Sequence, residues 1–266
     1  TYSAEVEYVD LEGEGLSLFI PDGNPSMKVN VEGLGSMTFE LFEGRVPDVT
    51  SEIIARAQAG RFDNQRIHRV ATLSDGTPFV IQGGHPGTGE QFDDQFQPDL
   101  RYTSKGIIAT ANAGPDTNDA QFFITGSDPR FLDFRYSIFG FLTEGEAVRE
   151  QIQGVETERG QSGEKSVPVD DIFIDSVEII PDDEDQNGTM TLSAPVGTSG
   201  QAQVTVTVTD GEGNADEQTF TVTMVPDPPY VLSMADVVTT PGTPAEFTVK
   251  AADPQGDPIV YDGRVV

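Results

Sequence analysis

The amino-acid sequence contains no cysteine and only two histidines, His68 and His85, in 266 residues. A chain without cysteine forms no disulfide bond, has no thiolate nucleophile and cannot ligate zinc or an iron–sulfur cluster through sulfur. With two histidines, a multi-histidine metal site is excluded as well. The function therefore has to come from chemistry other than thiol catalysis or cysteine- and histidine-rich metal binding.

Basic residues and long apolar runs are also scarce. Lysine and arginine number 15, of which four are lysine, against 45 acidic residues, and the formal net charge is −30. This negative field repels phosphate backbones, so we predict no nucleic-acid partner. It is typical of a protein exposed to salt, which screens self-repulsion within about 10 Å, although it also serves solubility alone. No stretch approaches the ~20 apolar residues of a membrane span, and none is predicted.

Along the chain, three regions differ in composition. Residues 1–27 are acidic and strand-like, the middle mixes strand and helix signals, and the chain from Pro181 onward is rich in threonine and valine. We predict four segments, in chain order: a strand segment of a split β-sandwich at 1–27, a separate central domain at 28–180, the remaining sandwich strands at 181–228 and the start of a second repeat at 229–266.

The region after Pro181 alternates polar and apolar residues with a period of two. The runs 203–209 and 219–225 are separated by turn-forming residues at 210–214. This pattern predicts two half-buried strands in a hairpin, which the proline-rich segment 226–229 ends because proline removes a backbone donor. The region resembles the immunoglobulin-like or cadherin-like repeats of large bacterial surface proteins. That resemblance implies an extracytoplasmic location, whether secreted, periplasmic or cell-surface, and a saline environment agrees with the charge.

The order in which parts of the repeat occur along the chain predicts that one domain is inserted into another. Residues 253–261 resemble the early half of a repeat, residues 1–27 resemble the segment that follows that point, and late strands occur only after residue 187. We therefore expect the central domain to be inserted into a β-sandwich, which is tolerated where a domain's termini lie close together. The alternative is three domains in a row with a disordered start.

The first part of the central domain predicts a hairpin followed by a helix. Residues 29–31 and 37–42 have the composition of two strands, with glycines between them. The segment 47–57 begins with proline and has apolar residues on one face, which indicates a helix. Either Asp48 or Thr50 is expected to cap its first turn.

The rest of the central domain carries an ordered set of short motifs rich in apolar residues and amides. We find no nucleophile–base pair, phosphate loop or HExxH motif among them, so the set suits the binding of an uncharged peptide. The motifs, in chain order, are His68-Arg69, Phe79-Val80-Ile81-Gln82-Gly83-Gly84, Ala111-Asn112-Ala113-Gly114-Pro115, Thr117-Asn118-Asp119-Ala120-Gln121-Phe122-Phe123-Ile124, Phe131-Leu132-Asp133 and Phe139-Gly140. Each is weak alone. Together they make residues 28–180 resemble a cyclophilin-type peptidyl-prolyl cis–trans isomerase.

The resemblance implies a mainly β fold, an eight-stranded antiparallel barrel capped by two helices, beside the immunoglobulin- or cadherin-like sandwich segments. The second helix is expected near 144–152 and the closing strand at 171–180. The implied activity is the isomerisation of X–Pro bonds in flexible or unfolded protein segments. Proline-containing polypeptides are the implied partners, and no cofactor is implied.

The chemistry of this reaction explains why an arginine is the expected catalytic residue. Rotation about a peptide bond has a barrier of ~18–20 kcal/mol, and in the twisted X–Pro amide the prolyl nitrogen becomes pyramidal and basic. A fixed donor aimed at that nitrogen stabilises the twisted amide more than the planar one. By its match to the family's His-Arg motif, Arg69 is that donor, and Gln82 accepts from its guanidinium and orients it.

The other expected site residues also follow from the resemblance. Phe79, Val80, Phe123 and Leu132 are expected to line the socket for the proline ring. Further substrate contacts are expected from His68, Ala111, Asn112, Gln121, Phe131 and Tyr136.

Three features depart from the family pattern. Nine residues, 70–78, separate Arg69 from Phe79 where the family has four, and they either bulge outward or cover the cleft. Phe131 replaces the tryptophan of eukaryotic members, so we expect weak inhibition by cyclosporin, and Tyr136 stands where many members have histidine. A covered cleft favours the alternative function, a catalytically weak cyclophilin-fold module for peptide binding or adhesion at a cell surface.

A weak calcium candidate lies in the sandwich region. Asp183, Asp185 and Asn187 fit the first half of an EF-hand-type loop, but Ala194 occupies the place of its bidentate glutamate. A solvated turn between domains is the alternative interpretation.

Overall fold

The structure is a computed structural model, and it describes residues 2–12, 17–19, 23–84, 91–181, 190–194, 198–224, 230–231 and 251–252. Its helices are α1 (Pro47–Gln58), α2 (Glu146–Gln153) and a 3₁₀ turn at Arg130–Leu132. Its strands are β1 (Tyr2–Glu12), β2 (Ser17–Phe19), β3 (Ser26–Val31), β4 (Gly35–Leu41), β5 (Ile67–Thr72), β6 (Pro78–Gly84), β7 (Ile107–Thr110), β8 (Gln121–Thr125), β9 (Ile138–Glu144), β10 (Thr157–Arg159), β11 (Lys165–Pro168), β12 (Ile174–Ile180), β13 (Thr191–Ser193), β14 (Ser199–Thr209), β15 (Ala215–Met224), β16 (Tyr230–Val231) and β17 (Ala251–Ala252).

The described strands fall into two units. Strands β3 to β12 and both α-helices form the first unit, and β1, β2 and β13 to β17 form the second. In the second unit β14 pairs with both β1 and β15, β2 pairs with β13, and β16 pairs with β17, all antiparallel. The predicted hairpin is confirmed, because β14 and β15 are joined by a turn in which the Asp210 carboxylate accepts from the backbone N–H groups of Glu212 and Asn214. The prediction that both strands are half-buried is wrong for β15, which is largely exposed.

The first unit is built on an eight-stranded antiparallel sheet with the order β12-β3-β4-β9-β7-β8-β6-β5. Backbone hydrogen bonds join its two edges, among them Asn64 N–H to the Ile174 carbonyl at 2.8 Å and Ile67 N–H to the Ile172 carbonyl at 2.9 Å. The sheet therefore closes on itself, and its edges are paired. The predicted eight-stranded antiparallel fold with two helices is confirmed. Its first strand begins at Ser26, two residues before the predicted boundary.

Alternating side chains fill the inside of this sheet. One hydrophobic cluster takes residues from all eight of its strands and from both helices, and Ile53 of α1 and Ile152 of α2 are fully buried in it. Other members include Met27, Val29, Met37, Phe39, Leu41, Ile81, Ile108, Phe122, Ile124, Phe139 and Ile174.

A second cluster covers the opposite face of strands β6, β7 and β8. In β8, Phe122 and Ile124 belong to the inner cluster, whereas Phe123 belongs to the second one. A strand that is buried on both faces has consecutive apolar residues, which accounts for the Phe-Phe-Ile run. The other buried members of this outer cluster are Ala71, Val80, Tyr102, Ile107, Ala109, Ala111, Leu132 and Ile138.

The N-terminus of α1 is capped differently from the prediction. The residue before the helix is Val46, and neither Asp48 nor Thr50 supplies a capping side chain; the Thr50 hydroxyl donates to the Val46 carbonyl. Instead, Gln95 Oε1 accepts from the backbone N–H groups of Asp48 at 3.0 Å and Val49 at 3.4 Å. An amide from another part of the chain thus satisfies the free N–H groups that begin every helix.

Two glycines with similar backbones provide a matched test of this packing. Gly145, just before α2, has φ +91°, and a Cβ there would lie 2.3 Å from the Ser36 carbonyl oxygen. Gly76 has φ +89°, and a Cβ there would meet nothing within 4 Å. We predict that Gly76→Ala lowers the free energy of unfolding by about 1–2 kcal/mol through the left-handed backbone alone, and that Gly145→Ala lowers it further because the Ser36 backbone has to move. Urea unfolding followed by circular dichroism measures both losses; equal losses would contradict this packing.

Candidate active site

The register of neighbouring strands places predicted site residues side by side. Arg69 of β5 pairs with Gln82 of β6, Gln82 pairs with Phe123 of β8, and Phe123 pairs with Ala109 of β7. Side chains of directly paired residues lie on the same face of an antiparallel sheet. A guanidinium, an amide and an aromatic ring therefore form a row across the outer face of the barrel.

A pocket of about 190 Å³ opens beside this row. Four of its lining residues, Val80, Ala111, Phe123 and Leu132, are buried members of the outer cluster. A pocket of this size is smaller than a typical drug-sized ligand site and suits one small ring. Among the residues that the structure describes, nine line the pocket, and all nine were predicted as site residues: Arg69, Phe79, Val80, Gln82, Ala111, Asn112, Phe123, Leu132 and Tyr136.

Aromatic packing fixes the wall of the pocket. The Phe123 ring stacks on Tyr102 at 5.9 Å and meets the edge of Tyr136 at 5.4 Å between ring centroids. Tyr102 is fully buried; its hydroxyl donates to the Tyr136 carbonyl at 3.0 Å, and its N–H donates to Asp133 Oδ1 at 2.8 Å. Burial raises the pKa of Tyr102 well above its ordinary value, so the hydroxyl remains a donor. The supporting role of Tyr102 was not predicted.

Three predicted site residues lie outside the pocket lining. Gln121 Oε1 accepts a hydrogen bond from Gln82 Nε2 at 3.3 Å, so it contacts the site through that amide. Phe131 is 55% exposed, and its ring lies 5.5 Å from that of Phe79. His68 lies at an irregularity in the β5–β6 pairing, and burial lowers its pKa.

Asn112 lines the pocket, but its side-chain amide is engaged within the protein. Its Nδ2 donates to Asp94 Oδ1 at 3.2 Å and to the Arg135 carbonyl at 3.1 Å. Asp94 Oδ1 also accepts from Asn118 Nδ2 at 2.8 Å and from the Ser137 hydroxyl at 3.2 Å. Asp94 thus links the segment that contains Asn112 to the segment that contains Tyr136, and both of these residues line the pocket. No sequence motif indicated Asp94.

The guanidinium of Arg69 is held on two sides. Its Nη1 donates to Gln82 Oε1 at 3.3 Å, while Nε and Nη2 donate to the two carboxylate oxygens of Glu164 at 2.7 and 2.9 Å. The Phe79 ring centroid lies 5.7 Å from Arg69 Cζ. The hydrogen bonds from Arg69 lower the pKa of Glu164 from its usual 4.5 to about 2. Glu164 belongs to none of the quoted motifs and was not predicted.

The inserted residues 70–78 extend the β5–β6 hairpin. A turn at 73–77 closes it, with Leu73 N–H donating to the Thr77 carbonyl at 2.8 Å and Thr77 N–H donating to Asp75 Oδ1 at 2.9 Å. None of the residues 70–78 lines the pocket. The insertion therefore leaves the pocket beside Arg69 open.

Within the part of the chain that the structure describes, no group of three or more His, Asp or Glu side chains could hold a metal ion, and no helix is long and apolar enough to cross a membrane. The calcium candidates Asp183, Asp185 and Asn187 lie in 182–189, outside the described residues, and calcium binding has no support.

Comparison with known proteins decides the family. Residues 26–179 match the family model described as cyclophilin type peptidyl-prolyl cis-trans isomerase/CLD. This chain belongs to the cyclophilin-type isomerase family. The predicted enzyme class is thereby confirmed, and the match covers strands β3 to β11, both helices and β12 nearly to its end.

Individual relatives cover somewhat more than half of this chain. Human peptidyl-prolyl cis-trans isomerase-like 1 is 35% identical over 164 residues, which cover 58% of this chain and 93% of the human protein. A crystal structure of a Cryptosporidium parvum cyclophilin is 29% identical, with a TM-score of 0.51, and covers 59% of this chain and 98% of its own. The structure of that cyclophilin in the presence of the dipeptide Ala-Pro is 30% identical, with a TM-score of 0.50, and covers 58% and 98%.

The lowered pKa values of two carboxyl groups predict that this cyclophilin loses stability in acid. The hydrogen bonds from Arg149 lower the pKa of Glu146 to about 2, as those from Arg69 do for Glu164. Because both carboxyls bind protons more weakly in the folded chain, their contribution is complete above their usual pKa of 4.5 and is lost as the pH falls towards 2. Both side chains are 40% exposed, so solvent screening keeps the effect modest.

We predict that the urea midpoint of the wild type falls more steeply between about pH 5 and about pH 2.5 than that of the E146Q/E164Q double variant. Unfolding curves across this range measure the difference. Parallel pH profiles for the two proteins would contradict it.

Proposed function

We propose that the chain accelerates cis–trans isomerisation of X–Pro bonds in flexible or unfolded protein segments. Arg69 is the catalytic donor, and the adjoining pocket receives the proline ring. The observation that carries the proposal is the shared lining: the side chains of Arg69, Phe123 and Leu132 line the same pocket. A pocket that combines apolar side chains with a cation suits a substrate in which an apolar ring adjoins a polar amide.

Binding of the ring orients the bond that has to rotate. The pocket buries the proline ring against Val80, Phe123 and Leu132, which are already buried in the free protein and lose little freedom on binding. The amide nitrogen is part of that ring, so seating the ring places the nitrogen near the pocket edge where Arg69 lies. The Cryptosporidium cyclophilin studied with Ala-Pro supports a proline peptide as the ligand.

Catalysis then depends on a donor that is stronger towards the twisted amide than towards the planar one. In the planar amide the nitrogen lone pair is delocalised, whereas in the twisted amide it is localised and accepts a hydrogen bond. Arg69 remains a cation at every working pH, so it donates without transferring a proton. A single preorganised donor of this kind accounts for about 10²–10³-fold in rate.

The alternative, a peptide-binding module with little turnover, is not favoured. It depended on an insertion that covers the cleft, and residues 70–78 lie outside the pocket lining. The curated relatives are also named as isomerases.

The arginine variants test the enzyme proposal. We predict that Arg69→Ala lowers kcat/KM for a chromogenic X–Pro peptide by about 10²–10³-fold in a protease-coupled assay. Arg66→Ala is the matched control, because Arg66 lies three positions away, pairs with Asp171 and does not line the pocket. A wild type no faster than the uncatalysed background, or equal rates for the two variants, would sink the proposal.

We also propose that the second unit is an immunoglobulin-like or cadherin-like repeat into which the isomerase domain is inserted. The strand pairing supports this, because β1 pairs with β14 and β2 with β13. Chain segments that precede and follow the isomerase domain in sequence thus share sheets with each other, as an insertion requires.

An excision experiment tests the insertion. We predict that residues 23–181, expressed alone, fold and keep kcat/KM within about two-fold of the full chain, because an inserted domain carries its own core. Circular dichroism and the protease-coupled assay on both proteins provide the comparison. A fragment that aggregates or has no activity would contradict the arrangement.

A further inference from the structure

Glu164 holds the guanidinium of Arg69 more tightly than any other described side chain does. Both of its carboxylate oxygens accept hydrogen bonds from Arg69, at 2.7 and 2.9 Å, whereas Gln82 accepts one at 3.3 Å. We propose that Glu164 is a positioning residue for the isomerase reaction, acting through Arg69. This inference rests on the proposed function.

The two partners occupy different edges of the guanidinium. A guanidinium has five N–H groups; Glu164 takes the Nε edge with one N–H of Nη2, and Gln82 takes one N–H of Nη1. Within the described contacts, one N–H on each Nη nitrogen is left for a substrate amide.

The carboxylate lies away from the pocket. Gln82 is part of the pocket lining, whereas Glu164 is not. Glu164 therefore binds the guanidinium without occupying the pocket that we propose for the proline ring. This placement favours positioning of Arg69 over competition with the substrate.

Glu164 is itself held in place by the β10–β11 hairpin. Its carbonyl accepts from Gly160 N–H at 3.0 Å, and its N–H donates to the Ser162 hydroxyl at 3.3 Å. The hydroxyl of the buried Ser166 adds to the effect of Arg69 in lowering the pKa of the Glu164 carboxyl group. Strand β11 lies against β5, which carries Arg69. The anchor thus belongs to a separate two-stranded sheet, β10–β11, whereas Gln82 belongs to β6 of the barrel.

Removing this anchor should act on turnover rather than on binding. The Arg69 side chain is 29% exposed, and without Glu164 its Nε edge would face water and the guanidinium would sample more orientations. Only a fraction of these would aim an N–H at the prolyl nitrogen, so kcat falls. The apolar pocket walls remain unchanged, so KM stays nearly constant.

The test compares E164Q with D171N in the full chain. Each variant replaces a carboxylate that pairs with an arginine by a neutral amide. Glu164 pairs with Arg69 in β5, whereas Asp171 pairs with Arg66, the residue just before β5. We expect E164Q to lower kcat about ten-fold with KM within about two-fold, and D171N to change neither. Single-turnover or progress-curve kinetics on an X–Pro peptide separate kcat from KM.

A spectroscopic readout follows the guanidinium directly. In a ¹⁵N-labelled sample, the Arg69 Nε–H signal is assigned by its disappearance in Arg69→Lys. We expect its exchange with water to be slow in the wild type and in D171N, and faster in E164Q, because a bidentate carboxylate protects that N–H. A purely structural role for Glu164 would lower the unfolding midpoint and leave this signal and kcat unchanged.

The outcomes separate the two proposals. An active wild type and a defective Arg69→Ala, together with an E164Q whose kcat is equal to or above that of D171N, overturn the positioning role alone. A rise in kcat in particular would mean that the carboxylate competes with the substrate. A wild type without activity overturns the proposed function, and the positioning role with it.

Discussion

The site depends on one register, the pairing of Arg69 with Gln82 and of Gln82 with Phe123 across β5, β6 and β8. A slip of one residue in β6 would exchange Gln82 for Ile81 and turn the amide into the barrel core. The inner cluster prevents that slip, because Ile81 and Ile124 are fully buried in it. The hydrophobic core of the barrel therefore specifies the order of polar and apolar groups on its outer face.

Holding a cation at a fixed point is a particular problem in a chain with a net charge of −30. Any of many carboxylates could attract a flexible arginine and draw it away from a pocket. Here one carboxylate, Glu164, binds the Nε edge of the guanidinium from outside the pocket lining, and Gln82, which is part of that lining, binds Nη1. One of the many carboxylates of the chain thus orients the arginine instead of drawing it away.

Local patterns predicted much of this molecule, and long-range contacts account for what they missed. Composition and periodicity predicted β3, β4 and α1, whereas the eight-stranded fold, α2 and the nine pocket residues were implied by the resemblance of short motifs to a known family. The Gln95 cap and the Glu164 anchor lie 47 and 95 residues from the groups they bind, and such pairs leave no signal in a single sequence. The direction of the 70–78 insertion likewise depends on how the hairpin twists, which composition does not specify.

The most direct measurement is a crystal structure of this protein with an X–Pro peptide bound. The account predicts a proline ring seated against Phe123 and Leu132, with an Arg69 Nη nitrogen about 3 Å from the prolyl amide and Glu164 still bound to the Nε edge. A peptide bound on another face, or an Arg69 guanidinium turned away from the seated ring, would contradict it.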